Sequence, residues 1–129
     1  MTRNDFLKRF NLTEGQFLGT EIIGGDLWLD GLTAIPDGFN PNIDGDLDLD
    51  KITSVPKGFS PKVGRSLDLS GLTLIPEGFN PTVGGSLLLN GLISIPVGFN
   101  PNIGGRLWVN HKIVKLNKQK NKQHDTTIK

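Results

Sequence analysis

With 129 residues, of which 36 % are apolar, the chain is long enough for one modest domain. It contains no cysteine, which excludes a disulfide framework and a thiolate metal site, and it has no apolar run of membrane-spanning length. The net charge of +1 hides an asymmetry. Residues 1–110 carry 8 basic and 12 acidic side chains, a net of −4, whereas residues 111–129 carry 6 lysines and one acid, a net of +5.

The first residues, Met1 to Arg9, lack the apolar stretch of a cleaved signal, so a cytoplasmic location is expected. Residues 1–19 read as a helical cap. Thr13-Glu14-Gly15-Gln16 is a capping box, and Leu12 with Phe17 fits the hydrophobic staple around it. Thr2 to Asp5 gives a weaker start signal for an earlier short helix carrying Phe6, Leu7 and Phe10. Two such helices would lay their phenylalanines over whatever follows. A helix-turn-helix nucleic-acid reader is the rival reading, but the second helix is short and lacks basic residues.

From residue 20 to about 116 the sequence repeats every 20 residues without slippage, in four full blocks and a partial fifth. The shared pattern is P-x-[IV]-G-G-x-L-x-L-x-G-L-T-x-[IV]-P-x-G-F-N. All eight prolines fall in two columns, Pro36/Pro56/Pro76/Pro96 and Pro41/Pro61/Pro81/Pro101, and Phe39, Phe59, Phe79 and Phe99 form a third. Each block reads as one coil of a solenoid. Leu47-Asp48-Leu49 alternates apolar and polar residues, the mark of a half-buried strand, and one short parallel strand per coil is predicted. The glycine pairs before the strand, such as Gly24-Gly25 and Gly84-Gly85, are expected to supply the positive φ of a tight turn. After the strand the proline of Leu-Thr-x-Ile-Pro bars a helix, so the chain returns in extended or turn-like form. Ile43, Leu47, Leu49, Ile52, Val55 and Phe59, with their counterparts, are the inward columns. One coil cannot bury enough of them alone, so stacked neighbours must complete the core.

These residues resemble the short, 20-residue leucine-rich repeats of bacterial effector proteins from enteric pathogens, and Gly-Gly-Phe-Asn-Pro arrays of phage and bacterial genomes. The resemblance rests on the L-x-L strand followed by [LI]-x-x-[IV]-P. It implies a mainly β, leucine-rich-repeat-like solenoid that binds a partner along its sheet face, with no fixed ligand or cofactor. There is one departure: Gly31, Lys51, Gly71 and Gly91 stand where that pattern places asparagine, so the usual asparagine ladder is absent or replaced.

Three outward columns flank the strand leucines. The first reads Asp26, Asp46, Ser66, Ser86, Arg106; the second Trp28, Asp48, Asp68, Leu88, Trp108; the third Asp30, Asp50, Ser70, Asn90, Asn110. The third holds only residues that bond their own backbone in turns, and is assigned to turn-making. The second varies in kind as a scaffold column need not. Trp28 and Trp108 should point outward near opposite ends of the sheet, and such aromatics are enriched at interface hot spots. Trp28, Asp46, Asp48, Asp68, Leu88, Arg106 and Trp108 are therefore the candidate partner-binding residues. Asp44, Asp46, Asp48 and Asp50 alternate along one strand, which invites a calcium reading. An EF-hand loop would need glycine where Leu49 stands, so no metal site is expected. His111 and His124 lack a nucleophile or carboxylate at any catalytic spacing, and no enzyme is expected.

At the far end, Ile113 and Leu116 are expected as the last inward residues, one residue out of register after Asn110. Residues 117–129 form a polar, lysine-rich tail of disordered composition. The leading functional reading is a protein-binding module for a basic partner, in an effector or inhibitor. Its rival is binding of nucleic acid or an acidic surface through Lys118, Lys120 and Lys122. No membrane partner is expected.

Overall fold

The computed structural model of the chain describes residues 2–29, 31–116 and 126–128. Two short helices open it, α1 (Arg3–Phe10) and α2 (Glu14–Leu18), each closed by a full capping box: Thr2 with Asp5, and Thr13 with Gln16. Their apolar content is small, and what they do bury is aromatic. Phe6 and Phe17 are both fully buried and meet Phe39 of the first coil at ring-centroid distances of 4.9 and 5.3 Å. The α2 carbonyl of Phe17 also accepts the Asn40 N–H at 2.9 Å. The helices thus cap one corner of the first coil, the phenylalanine corner.

A solenoid of 20-residue coils follows, and every coil carries two short strands, where the L-x-L pattern alone predicts one. The smaller sheet comes from the P-x-[IV] segment: β1 (Ile22–Ile23), β3 (Asn42–Ile43), β5 (Lys62–Val63), β7 (Thr82–Val83) and β9 (Asn102–Ile103). The larger is built on the leucines: β2 (Leu27–Trp28), β4 (Leu47–Asp48), β6 (Leu67–Asp68), β8 (Leu87–Leu89) and β10 (Leu107–Val109). All these pairings are parallel, and partners lie 20 residues apart. The second strand has a physical cause. Pro41, Pro61 and Pro81 cannot donate, but their carbonyls accept the N–H of Lys62, Thr82 and Asn102 from the next coil at 3.0–3.4 Å. Stacking alone imposes that pairing, and a two-residue strand has no periodicity to read.

Between the sheets runs one continuous core. Leu47, Leu67 and Leu87 are fully buried, as are Leu69, Leu72 and Leu89, and the phenylalanine column is buried from Phe39 to Phe99. Phe39, Phe59 and Phe79 stack ring on ring at 6.4 and 6.0 Å. Each sits behind a type II turn in which the Pro carbonyl accepts the Phe N–H, at 3.1–3.3 Å, across a glycine at φ +82 to +89°. That turn makes the P-x-G-F corner.

The paired glycines serve another purpose than the one expected from sequence. Of Gly24-Gly25, Gly84-Gly85 and Gly104-Gly105, only Gly25 has a positive φ, +77°. A Cβ on Gly64, Gly84 or Gly104 would instead collide with the carbonyl oxygen of Asp44, Gly64 or Gly84 in the coil before. In the third, fourth and fifth coils this position is glycine because backbones one coil apart touch there, whereas the second coil carries Asp44 at the same position. Gly84→Ala should therefore destabilise by about 1–3 kcal/mol, as overpacking against a fixed backbone does. Over Gly24, where no coil precedes, a Cβ meets nothing within 4 Å, and Gly24→Ala should shift a urea midpoint negligibly. Equal midpoints for the two variants would contradict this account of the column.

The C-terminal end closes differently from the parallel half-coil expected. β11 (Lys112–Leu116) turns back antiparallel on β10 through a two-residue hairpin, Asn110-His111, at φ 55 and 62°. Val114 is thereby the buried residue opposite Leu107, while Ile113 faces outward opposite Trp108. Leu116 packs against the core as expected, half-buried. β12 (Thr126–Ile128) then pairs antiparallel with β11. A strand inside the segment of disordered composition is a departure from the sequence expectation. Lys118, Lys120, Lys122 and His124 lie outside the described residues.

Candidate functional site

The three outward columns separate once the coils are stacked. The first is a ladder. The Asp46 N–H donates to the Asp26 carboxylate at 2.7 Å, Ser66 to Asp46 at 2.8 Å, Ser86 to the Ser66 hydroxyl at 3.3 Å and Arg106 to the Ser86 hydroxyl at 3.1 Å. Only Asp and Ser occupy the accepting positions, because the acceptor oxygen must sit one or two bonds from the backbone to reach the next coil. Asp46, a candidate partner contact by sequence, thus spends one oxygen on the scaffold. The Arg106 side chain carries no acceptor to continue the ladder, and it is exposed at the ladder's end.

Apart from Asp30, which lies outside the described residues, the third column does sit in the turns, where Leu49, Leu69 and Leu89 carbonyls accept the N–H of Ile52, Leu72 and Leu92 at 3.0–3.1 Å. It also reaches across coils: Ser70 accepts the Asn90 N–H at 3.2 Å, and Asn90 that of His111 at 2.7 Å. At the opposite corner Asn40 and Asn80 accept the N–H of Ser60 and Asn100, at 2.5 and 2.8 Å. The missing asparagine ladder is therefore replaced by several ladders spread over Asp, Ser and Asn. A lone sequence shows the residue types but not that their partner lies 20 residues away.

The middle column stands in a single register-matched row across the larger sheet: Trp28, Asp48, Asp68, Leu88, Trp108 and, through the hairpin, Ile113. Neighbours are about 4.8 Å apart, so the two tryptophans stand about 19 Å apart. Trp28 is 62 % exposed; Leu88, Trp108 and Ile113 are half-buried and contiguous. Between the two ends lie Asp48 and Asp68, each accepting the N–H two residues on, from Asp50 and Ser70, at 3.1 and 3.0 Å. These bonds fix the carboxylates in place along the row. Ile113 was missed by sequence because its facing depends on an antiparallel return, which the repeat register does not announce.

Asp48, Asp50 and Asp68 bring carboxylate oxygens within 4.8 Å of one another, the closest approach to a metal-binding group among the described residues. The sequence places Asp44 to Asp50 in a line along one strand; the structure adds Asp68 from the next coil. Leu74, Ile93 and Val97, in the return segments of the later coils, are exposed apolar side chains.

The fold defines the class: a mainly β, parallel β-solenoid of 20-residue coils with a short N-terminal helical cap. Among the described residues no helix is long and apolar enough to cross a membrane. No family model, curated protein or solved structure matches the chain.

Proposed function

We propose that this solenoid is a non-catalytic protein-binding module of the leucine-rich-repeat kind, acting in the cytoplasm as a bacterial or phage effector or inhibitor. The observation that supports it best is the row itself. One straight line of side chains runs from an exposed Trp28 through two carboxylates to the apolar Leu88–Trp108–Ile113 group. The sheet beneath is held coil by coil through backbone and side-chain ladders, so the row is preorganised and binding costs little ordering. A partner suited to it has basic groups facing Asp48 and Asp68, and apolar pockets for the two ends.

Affinity capture with the full chain as bait, followed by kinetics on the partner retained, tests this. The double variant Asp48→Lys/Asp68→Lys should slow association, because surface charge mainly steers encounter. Trp28→Ala and Trp108→Ala should speed dissociation, since buried aromatic anchors set lifetime. Replacing Lys118, Lys120 and Lys122 with glutamine should leave binding unchanged and keep β12, which cutting the chain after Leu116 would remove. If the glutamine variant alone loses its partner, or loses the salt-sensitive retention on immobilised DNA that the parent shows, the lysine segment is the binding element and the face reading fails.

A further inference from the structure

The first coil has an open side. In later coils each glycine before the strand lies against the backbone of the coil preceding it: Gly64 against Asp44, Gly84 against Gly64, Gly104 against Gly84. Over Gly24 and Gly25 a Cβ would meet nothing within 4 Å. The helical cap fills the phenylalanine corner and leaves this stretch uncovered; Ile22, Gly24, Gly25, Asp26 and Trp28 are all exposed. Among the described residues β2 is the last strand of the larger sheet and β1 the last of the smaller.

Backbone alternation then fixes what the open edge offers. Leu27 and Leu29 donate inward to Asp46 and Asp48 of the second coil, at 2.8 and 3.5 Å. The N–H and C=O groups of Asp26 and Trp28 therefore point the other way, toward the open side. In the second coil the equivalent carbonyls, those of Asp46 and Asp48, are the ones that accept from the coil before. Exposed edges of this kind are templates for another strand.

Charge selects the occupant. Residues 10–50 hold nine Asp and Glu and not one Lys or Arg. Asp26 and Asp44, at the corner where the second coil stacks on the first, are exposed. Arg9 of α1 reaches Gly31, beyond the other end of the strand. Two copies paired edge to edge would bring two such acidic corners together, which like-charge repulsion disfavours. Head-to-tail stacking meets the antiparallel β11 and β12 at the far end instead of a parallel strand in register.

We propose that the Ile22–Trp28 edge is a strand-addition site that takes an extended, basic peptide segment of a partner protein in the place of a preceding coil. Backbone groups of Asp26 and Trp28 pair with it, Asp44 and the second oxygen of Asp26 (the first accepts the Asp46 N–H) face its cationic side chains, and Ile22 and Trp28 flank it with apolar surface. The site is distinct from the middle of the sheet face and shares with it only Trp28.

The probe is a short acetylated, amidated peptide of alternating lysine and valine, with an alternating glutamate–valine peptide as control. The full chain should bind the lysine peptide and slow amide exchange at Asp26 and Trp28, and should not bind the glutamate peptide. Gly24→Leu puts a side chain into the docking space without disturbing packed backbone. It should keep the parent's melting temperature and weaken the peptide at least about tenfold, the loss of one or two backbone hydrogen bonds. Leu88→Ala with Trp108→Ala, which strips the far end of the face, should leave peptide affinity unchanged while it impairs the face-bound partner. No binding by the parent, or equal binding by Gly24→Leu, would overturn the proposal. So would concentration-dependent dimerisation abolished by Gly24→Leu, which would give the edge to a second copy.

Discussion

Deleting residues 61–80 should leave a folded protein with a single cooperative transition at lower temperature, whereas deleting residues 61–70 alone should abolish that transition. The first deletion removes one whole coil and joins Ser60 to Pro81, the same kind of junction as Ser60 to Pro61. Every inter-coil contact then finds an equivalent partner: the Asp46 carboxylate meets the Ser86 N–H in place of that of Ser66, and the Pro61 carbonyl's role toward Thr82 passes to Pro41. Val63, Leu67, Leu69, Leu72 and Phe79 are lost together with the surfaces they covered, so the two cut ends remain complementary. Half a coil has no such repair. Losing 61–70 takes out β5 and β6, both strands of the coil, and leaves its turn and return segment with no sheet to close against. Circular dichroism melts of the two deletions decide it, and a half-coil deletion that melts no lower than the whole-coil one would contradict the stacking account.

What the sequence made legible follows from how many residues vote for each feature. The coil period is voted for by eight prolines and four phenylalanines in strict columns, and no other register satisfies them. The helical cap is legible because a capping box is a local signal, complete within four residues. Features set by contact between coils left weaker traces. The second sheet is written in two-residue strands after a proline, too short for alternation to show. Gly64, Gly84 and Gly104 look like turn glycines, and only the stacked backbones reveal that clearance is their reason.

The candidate site was half legible for a related reason. The middle column stood out because its residues differ in kind, and stacking turned that variety into one straight row. Asp46 looked the same as Asp48 in sequence, yet its oxygen serves the next coil's Ser66, while Asp48 turns back to its own Asp50. Two positions along one strand thus separate a scaffold carboxylate from one set on the face. Ile113 joins the row only because Asn110 and His111 both adopt positive φ, which asparagine tolerates and which reverses the chain.

Phe79→Ala should cost about 3–5 kcal/mol, a large share of the 5–15 kcal/mol that holds a domain of this size. The ring is 4 % exposed, stacks on Phe59 with centroids 6.0 Å apart and planes 7° from parallel, and stands behind the Pro76–Gly78 turn. Removing it opens a cavity between two turns whose glycines and prolines hold the backbone stiffly, so the walls have little freedom to collapse inward. Phe99→Ala should cost less, because Phe99 is 8 % exposed, twice the exposure of Phe79, and water can reach part of the space it leaves. Trp28→Ala, on a side chain that is 62 % exposed, should stay within about 0.5 kcal/mol of the parent. Urea unfolding of the three variants ranks them. A midpoint for Phe79→Ala indistinguishable from that of Trp28→Ala would mean that the phenylalanine column is not what joins one coil to the next.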